Sequence, residues 1–268
     1  MNSVHTYDVG DNRLVLYLTD YLDILYPKLD LEEEEILGKG KINIALAELF
    51  FHTIENLVPH AFLSSQNRHM PSRFSTSMYM DHVVLIQKLK KLPFTCQVYG
   101  YMTDDFCYFD MSTLSLPRDI EIHEQLPYPV VLFFDTHGKN ISFDKLCNGV
   151  NGNDILRAKN YAVLTYCLCQ QFVESKGFIL PSLSLKFGMD TQSVLRLSGD
   201  SLFPDNMTFW DMHTSCEDKG LDNFLLLPLL QYERQYGNQI SIFLDEALDD
   251  VEEQYQILYE SLTGEKFV

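Results

Sequence analysis

The stretch LSLKFGMDTQSVLRLSGDSLFPDNMTFWD, residues 183–211, decides how the rest of the chain is read. It holds the end of one strand, FILPSLSLKFG, a turn at MDTQ, and a second strand, SVLRLSG. The loop hanging from the second strand carries Asp200, Asp205 and Asp211, together with Pro204 and the only tryptophan of the chain, Trp210. Two readings stand side by side. The acids are a site for a metal and a substrate, or they cap turns, as aspartates after strands do. Trp210, beside Phe209, reads as a packed anchor that buries a large area and fixes the loop.

Working outward, DILRAKNYAVLTYCLCQQFVESKG precedes these strands as an amphipathic helix. Its expected cap is Asn153, its inward face is Ile155, Ala158, Ala162, Thr165, Cys169 and Phe172, and Gly177 stops it. Further upstream, PVVLFF reads as a short buried strand before a turn at His137 and Gly138, where the histidine is either a solvated turn residue or a proton carrier. VVLIQKL and FTCQVYGYM form two more strands behind the polar segment 64–82. INIALAELFFHTIENLV is helical by the spacing of Ile44, Leu46, Leu49, Phe50, Ile54 and Leu57, with Asn43 as cap and Pro59 as stop. RLVLYLT is an early hairpin arm, and a last helix runs from about Glu246 to Leu262. The LEEEE run at 31–35 reads as a solvated face.

The chain has 268 residues, 46% of them hydrophobic and 13% aromatic, enough to fill a sizeable core. A net charge of -18 argues against nucleic acid or an anionic membrane as partner, although a local basic pocket for a small anion remains compatible with it. No run of eighteen apolar residues and no basic, apolar leader are visible, so the expectation is a soluble cytoplasmic protein, with self-association left open. The six cysteines have neither the density of a disulfide scaffold nor zinc spacing, and Cys167 and Cys169 are expected to pack in or beside a helix. GKGK at 38–41 lacks the GxxxxGK[ST] form of a phosphate loop and reads as a basic linker or an anion contact. No Ser-His-Asp or HExxH pattern supports a hydrolase.

Taken in order, YDVGDNRLVLY, GKGKINIALAELFF, QKLKKLPFTCQV, PVVLFF and the opening stretch resemble the SAICAR synthetase family, most clearly at the end. The resemblance implies a two-lobed α+β fold with an antiparallel sheet in each lobe, packed helices and a site in the cleft between lobes. The expected cut falls near residue 100, with a mainly β lobe carrying one helix over 1–100 and an α+β lobe over 101–268. It also implies an ATP-dependent ligase that joins aspartate to a carboxylated aminoimidazole ribotide. That chemistry calls for cations around a triphosphate and Mg2+ on hard oxygen ligands.

Several polar positions depart from the family pattern. Asp11 stands where a phosphate-binding lysine is expected, leaving Arg13 as the cation of the hairpin. Ser182, Ser184 and Lys186 occupy the strand that supplies acidic and lysine side chains, so that Lys186 takes the place of a metal-binding glutamate. Asp200 persists as one hard ligand, but Ser201 replaces the glutamate after it, Phe203 and Thr208 stand for a serine and an arginine, and Tyr99 lies near the place of another arginine. The expectation is a diverged relative without the standard ligase activity, using the cleft for a purine-nucleotide-like or other small anionic ligand, or for changed chemistry. The alternative is an active ligase with ATP and Mg2+. In that reading Asp200 holds the metal, Arg13 and Lys39 or Lys41 meet phosphates, and Lys186 replaces a lost cation, while the resemblance marks Asp205, like Asp200, as a former metal or substrate contact and a catalytic candidate.

Overall fold

The computed structural model describes residues 3–22, 34–77, 79–109, 114, 116–117, 119–213 and 223–267. In chain order the strands and helices are β1 (Val4–Gly10), β2 (Arg13–Leu18), α1 (Lys39–Ile54), β3 (Phe62–Ser64), β4 (Val83–Gln87), β5 (Lys90–Tyr101) and β6 (Gln125–Phe134). Then follow α2 (Phe143–Leu146), α3 (Gly152–Glu174), β7 (Phe178–Ile179), β8 (Ser182–Met189), β9 (Leu195–Leu197), β10 (Trp210–Asp211), α4 (Leu227–Tyr236) and α5 (Leu244–Thr263). The fold is α+β, and every pairing between these strands is antiparallel. No described helix is long and apolar enough to cross a membrane.

The chain divides into two compact units, one of Met1–Leu49, Phe62–Gln87 and Asp222–Val268, the other of Phe50–Ala61 and Lys88–Leu221. This differs from a single cut near residue 100. The chain changes unit at Lys88, between two strands that read as neighbours in sequence but belong to different sheets, and the C-terminal helices group with the N-terminal strands.

In the first unit the strand order is β1-β2-β4-β3. The β1–β2 turn is Asp11-Asn12, with φ of 51° and 56°. This is the left-handed backbone that a two-residue hairpin needs and that Asp and Asn tolerate. One sheet face buries Val15, Val83 and Leu85 against Met70 and Phe74. Helix α1 begins four residues before the expected cap. The Asp20 carboxylate accepts bonds from the Gly38 amide at 3.3 Å and the Gly40 amide at 2.8 Å. It so supplies the helix start, while Asn43 is buried inside the helix. Helix α5 buries Val251, Tyr255, Leu258 and Leu262 at helical spacing and ends at Gly264, whose φ is 78°. Of the LEEEE run, residues 31–33 lie outside the described residues.

In the second unit the order is β6-β5-β8-β9, with the twelve-residue β5 in the interior. Helix α3 is capped by Asn151, whose side chain accepts from the Asn153 amide, two residues before the expected cap. Its buried face carries the expected Ile155, Ala158, Ala162, Thr165 and Cys169, but adds Tyr166 and Val173, and Phe172 is only half-buried. Tyr166 passes over Gly100 and donates to the Leu180 carbonyl at 2.8 Å. A Cβ at Gly100 would lie 1.7 Å from the Tyr166 hydroxyl, so the bare backbone of β5 is what admits the helix. Strand β7 pairs with β10, and Trp210, 4% exposed, packs edge-on against Tyr101 and His123, in keeping with its reading as an anchor. Cys96 and Cys169 are buried, Cys167 is exposed, and Cys216 lies outside the described residues.

Gly100→Ala is expected to lower unfolding stability in urea by about 1–3 kcal/mol through overpacking. Tyr166→Phe, which leaves the Leu180 carbonyl without its buried donor, is expected to cost about 1–2 kcal/mol.

Candidate functional site

Strand alternation sends Thr95, Gln97 and Tyr99 of β5 to one face of the sheet, and pairing sets Lys186 opposite Thr95 and Ser184 opposite Gln97. These five side chains line a pocket of about 670 Å³. Lys91, Phe94, Phe109, Phe134 and Asp105 also contribute to it, and all of its lining belongs to the second unit.

At one end stand two ammonium groups. Lys186 Nζ lies 3.7 Å and Lys91 Nζ 3.5 Å from the same Asp200 Oδ2, and the Ser198 hydroxyl donates to the other oxygen. Burial opposes ionisation of Asp200, whose side chain is 18% exposed. The Lys186 and Lys91 charges and the Ser198 bond together outweigh it and hold the carboxyl below its ordinary value of 3.8. Asp200 is itself a support behind the lining, while its two partners face the pocket.

At the other end Asp105 accepts a 2.7 Å bond from the Tyr99 hydroxyl and a 2.6 Å bond from Thr103. Burial, and then the bond to Asp105, push the Tyr99 phenol well above its ordinary value, so it remains a donor at any working pH. The sequence marks Tyr99 only as an absent arginine and gives no sign of Asp105, Lys91 or Gln97 as site residues. The signal available is the odd-numbered alternation along β5.

The family chemistry implies Mg2+, with Asp200 as its expected ligand. The donor set does not fit. Two ammonium groups already share that carboxylate and repel a further cation, and among the described residues no group of three or more His, Cys, Asp or Glu side chains comes together. Asp205 sits in the first turn of the 3-10 segment Pro204–Asn206, exposed and outside the pocket lining. The loop between the two acids is held by a 2.9 Å bond from the Asn206 side chain to the Asp200 carbonyl.

The residues expected to meet phosphates lie in the first unit and do not form a cradle. Arg13 is paired with Asp11 at 2.9 Å, Lys39 is 2% exposed, and Lys41 lines a separate pocket with Glu48, Asp81 and Lys266. The GKGK segment is a packing device. A Cβ at Gly40 would meet His82 and the Leu18 carbonyl at 2.6 Å, and the anion at the start of α1 is the chain's own Asp20.

Of the polar residues expected to depart from the family pattern, Ser201, Ser182 and Thr208 have internal partners. The Ser201 hydroxyl accepts from the Lys186 amide at 3.0 Å and donates to the Lys186 carbonyl at 3.1 Å. The Ser182 and Thr208 hydroxyls meet at 3.1 Å, and the Thr208 amide bonds the Ser182 carbonyl.

The family model for SAICAR synthetase matches residues 5–224. The chain belongs to the SAICAR synthetase family. The phosphoribosylaminoimidazole-succinocarboxamide synthase of Lachnospira eligens is 24% identical over 274 residues, covering 96% of this chain and 92% of that protein. Among solved structures, SAICAR synthase from Saccharomyces cerevisiae complexed with SAICAR superposes with a TM-score of 0.84 at 22% identity, covering 99% of this chain and 93% of that one. A SAICAR synthetase in complex with ADP gives a TM-score of 0.71 at 21% identity, covering 99% of this chain and 97% of that one. The likeness to these solved structures covers nearly the whole fold.

The Asp200 carboxyl makes stability depend on pH. Because its folded-state pKa lies below 3.8, its contribution is present above that value and is lost as pH falls through the lower one. The unfolding free energy of the wild type, measured by urea titration, is expected to fall more steeply below about pH 4 than that of Asp200→Asn. Asp20→Ala, which strips two amides of their acceptor, is expected to cost about 1–2 kcal/mol in the same measurement near neutral pH.

Proposed function

We propose that this chain joins a carboxylate to an amine at the expense of ATP, in the reaction class named by its relatives. The observation that supports this is the length of the likeness, 96% of the chain against 92% of a curated synthase. In such a reaction the substrate carboxylate takes the terminal phosphoryl group, releasing ADP. The amine then attacks the acyl phosphate, forming the amide and expelling phosphate. A relative solved with ADP supports the nucleotide as co-substrate. The groups that this chain offers an anionic substrate are Lys91 and Lys186, two ammonium groups that share the Asp200 carboxylate in a pocket lined by Asp135 as well.

A second reading, binding without ligation, is favoured by one observation. Lys186 and Lys91 hold their ammonium groups 3.7 and 3.5 Å from Asp200, the carboxylate that the family resemblance implies as the ligand of a divalent ion.

One experiment separates the two. The purified chain is incubated with ATP, Mg2+, aspartate and the carboxylated aminoimidazole ribotide, while ADP and thermal stability are followed. Ligation gives ADP only with all substrates present, reduced about tenfold or more in Lys186→Ala, the loss expected when one charge-assisted contact is removed. Binding alone raises the Tm with the ribotide and yields no ADP above the protein-free blank. Neither ADP nor a shift in Tm overturns both readings.

A further inference from the structure

The cavity of about 350 Å³ that Lys41 lines lies wholly in the first unit. Ile44, Ala45 and Glu48 line it from α1, and Tyr259, Lys266 and Phe267 line it from the end of α5 and the residues that follow. Those residues reach the cavity by reversing direction. Gly264 takes a φ of 78°, a backbone that L side chains rarely adopt, and its amide donates to the Glu260 carbonyl at 2.8 Å. The chain then folds back, so that Lys266 Nζ donates to Glu260 Oε2 at 2.6 Å and the Phe267 amide to Oε1 at 3.3 Å. The Phe267 ring stands edge to face on Tyr259, with centroids 5.4 Å apart, and covers Gly38, the residue before α1. A Cβ at Gly38 would lie 2.6 Å from that ring, so the notch that receives it exists because residue 38 has no side chain.

The holds on this wall are few and are released together. Those of the Lys266 ammonium and the Phe267 amide converge on one carboxylate, and Lys266 is 84% exposed, so its ion pair works in water, where such pairs hold weakly. The apolar hold is the single ring of Phe267, which is half-buried. We propose that residues 264–267 form a strap that closes the cavity between α1 and α5, and that its release by rotation at Gly264 opens the notch over Gly38 and the cavity behind it to solutes. Because the Gly38 amide also donates to Asp20, at 3.3 Å, the strap bears on the start of α1 as well. The device is independent of the reaction read from the β5/β8 pocket.

The test places a thiol in the cavity with Ala45→Cys in the full chain and follows its alkylation by iodoacetamide, resolved by peptide mass spectrometry. Adding Phe267→Ala is expected to speed alkylation at position 45 about tenfold or more, the factor that loss of a packed aromatic pair gives. Adding Glu260→Ala is expected to speed it about threefold, in keeping with an exposed ion pair, and Phe267→Tyr, which keeps the ring, to leave the rate unchanged. Amide exchange in Phe267→Ala alone reads the same event without the thiol, with faster exchange expected over residues 38–42 and none in β2. Equal alkylation rates with and without Phe267→Ala, or unchanged exchange over 38–42, overturn the strap. So does a rise over 38–42 that β2 shares, which marks unfolding of the whole unit rather than release of one segment.

Discussion

The register in which β5 pairs with β8 is the constraint on which the second unit depends. It places Thr95 against Lys186 and Gln97 against Ser184 on the pocket face. The same alternation turns Cys96, Val98 and Gly100 of β5 to the face that receives α3. A slip of one residue would carry Lys186 into the core and Leu185 into the pocket. Ser201 guards against this from the side, because its buried hydroxyl bonds both the amide and the carbonyl of Lys186 and ties the loop after β9 to that one position of β8.

Several of the polar residues expected to depart from the family pattern have partners within the chain. Asp11 faces Arg13 across a turn that needs left-handed backbone, Lys186 and Lys91 share Asp200, Ser201 clamps Lys186, and Ser182 meets Thr208. Buried polar groups cost free energy unless they are bonded, so such replacements have to be compatible with one another to be tolerated. Their physical consequence is that the positive charge near Asp200 is covalently attached. A metal ion brings a larger charge and open coordination positions, and it can leave. An ammonium group brings one charge and three directional donors, and it stays.

Much of this is legible in the sequence. The order of elements, the buried face of α3 and the anchoring of Trp210 follow from periodicity, turn residues and the bulk of aromatic side chains, while the antiparallel α+β class follows from the family resemblance. The helix starts lie elsewhere than the capping residue types suggest, for a local reason. Asn43 and Asn153 are of the right type, but the bonds that open α1 come from Asp20, eighteen and twenty residues upstream of its targets, and those of α3 begin at Asn151. The division into units is hidden because β4 and β5 are separated by two residues yet enter different sheets, which only tertiary contacts decide. In the site, Lys186 and Asp200 are fourteen positions apart and can each be named from sequence, but Lys91 is far from both and reaches Asp200 only because β5 runs beside β8. Asp105 carries no motif, and its relevance comes from the Tyr99 and Thr103 bonds that aim it.

With Lys91 and Lys186 Nζ 3.5 and 3.7 Å from Asp200 Oδ2, the expectation is that this carboxylate takes no divalent cation. Its most direct test is a Mn2+ titration of the purified, chelator-stripped chain followed by electron paramagnetic resonance, with Asp200→Asn in parallel. The expected result is the spectrum of free Mn2+ throughout, unchanged by Asp200→Asn. One equivalent of bound Mn2+ that disappears in Asp200→Asn would contradict it.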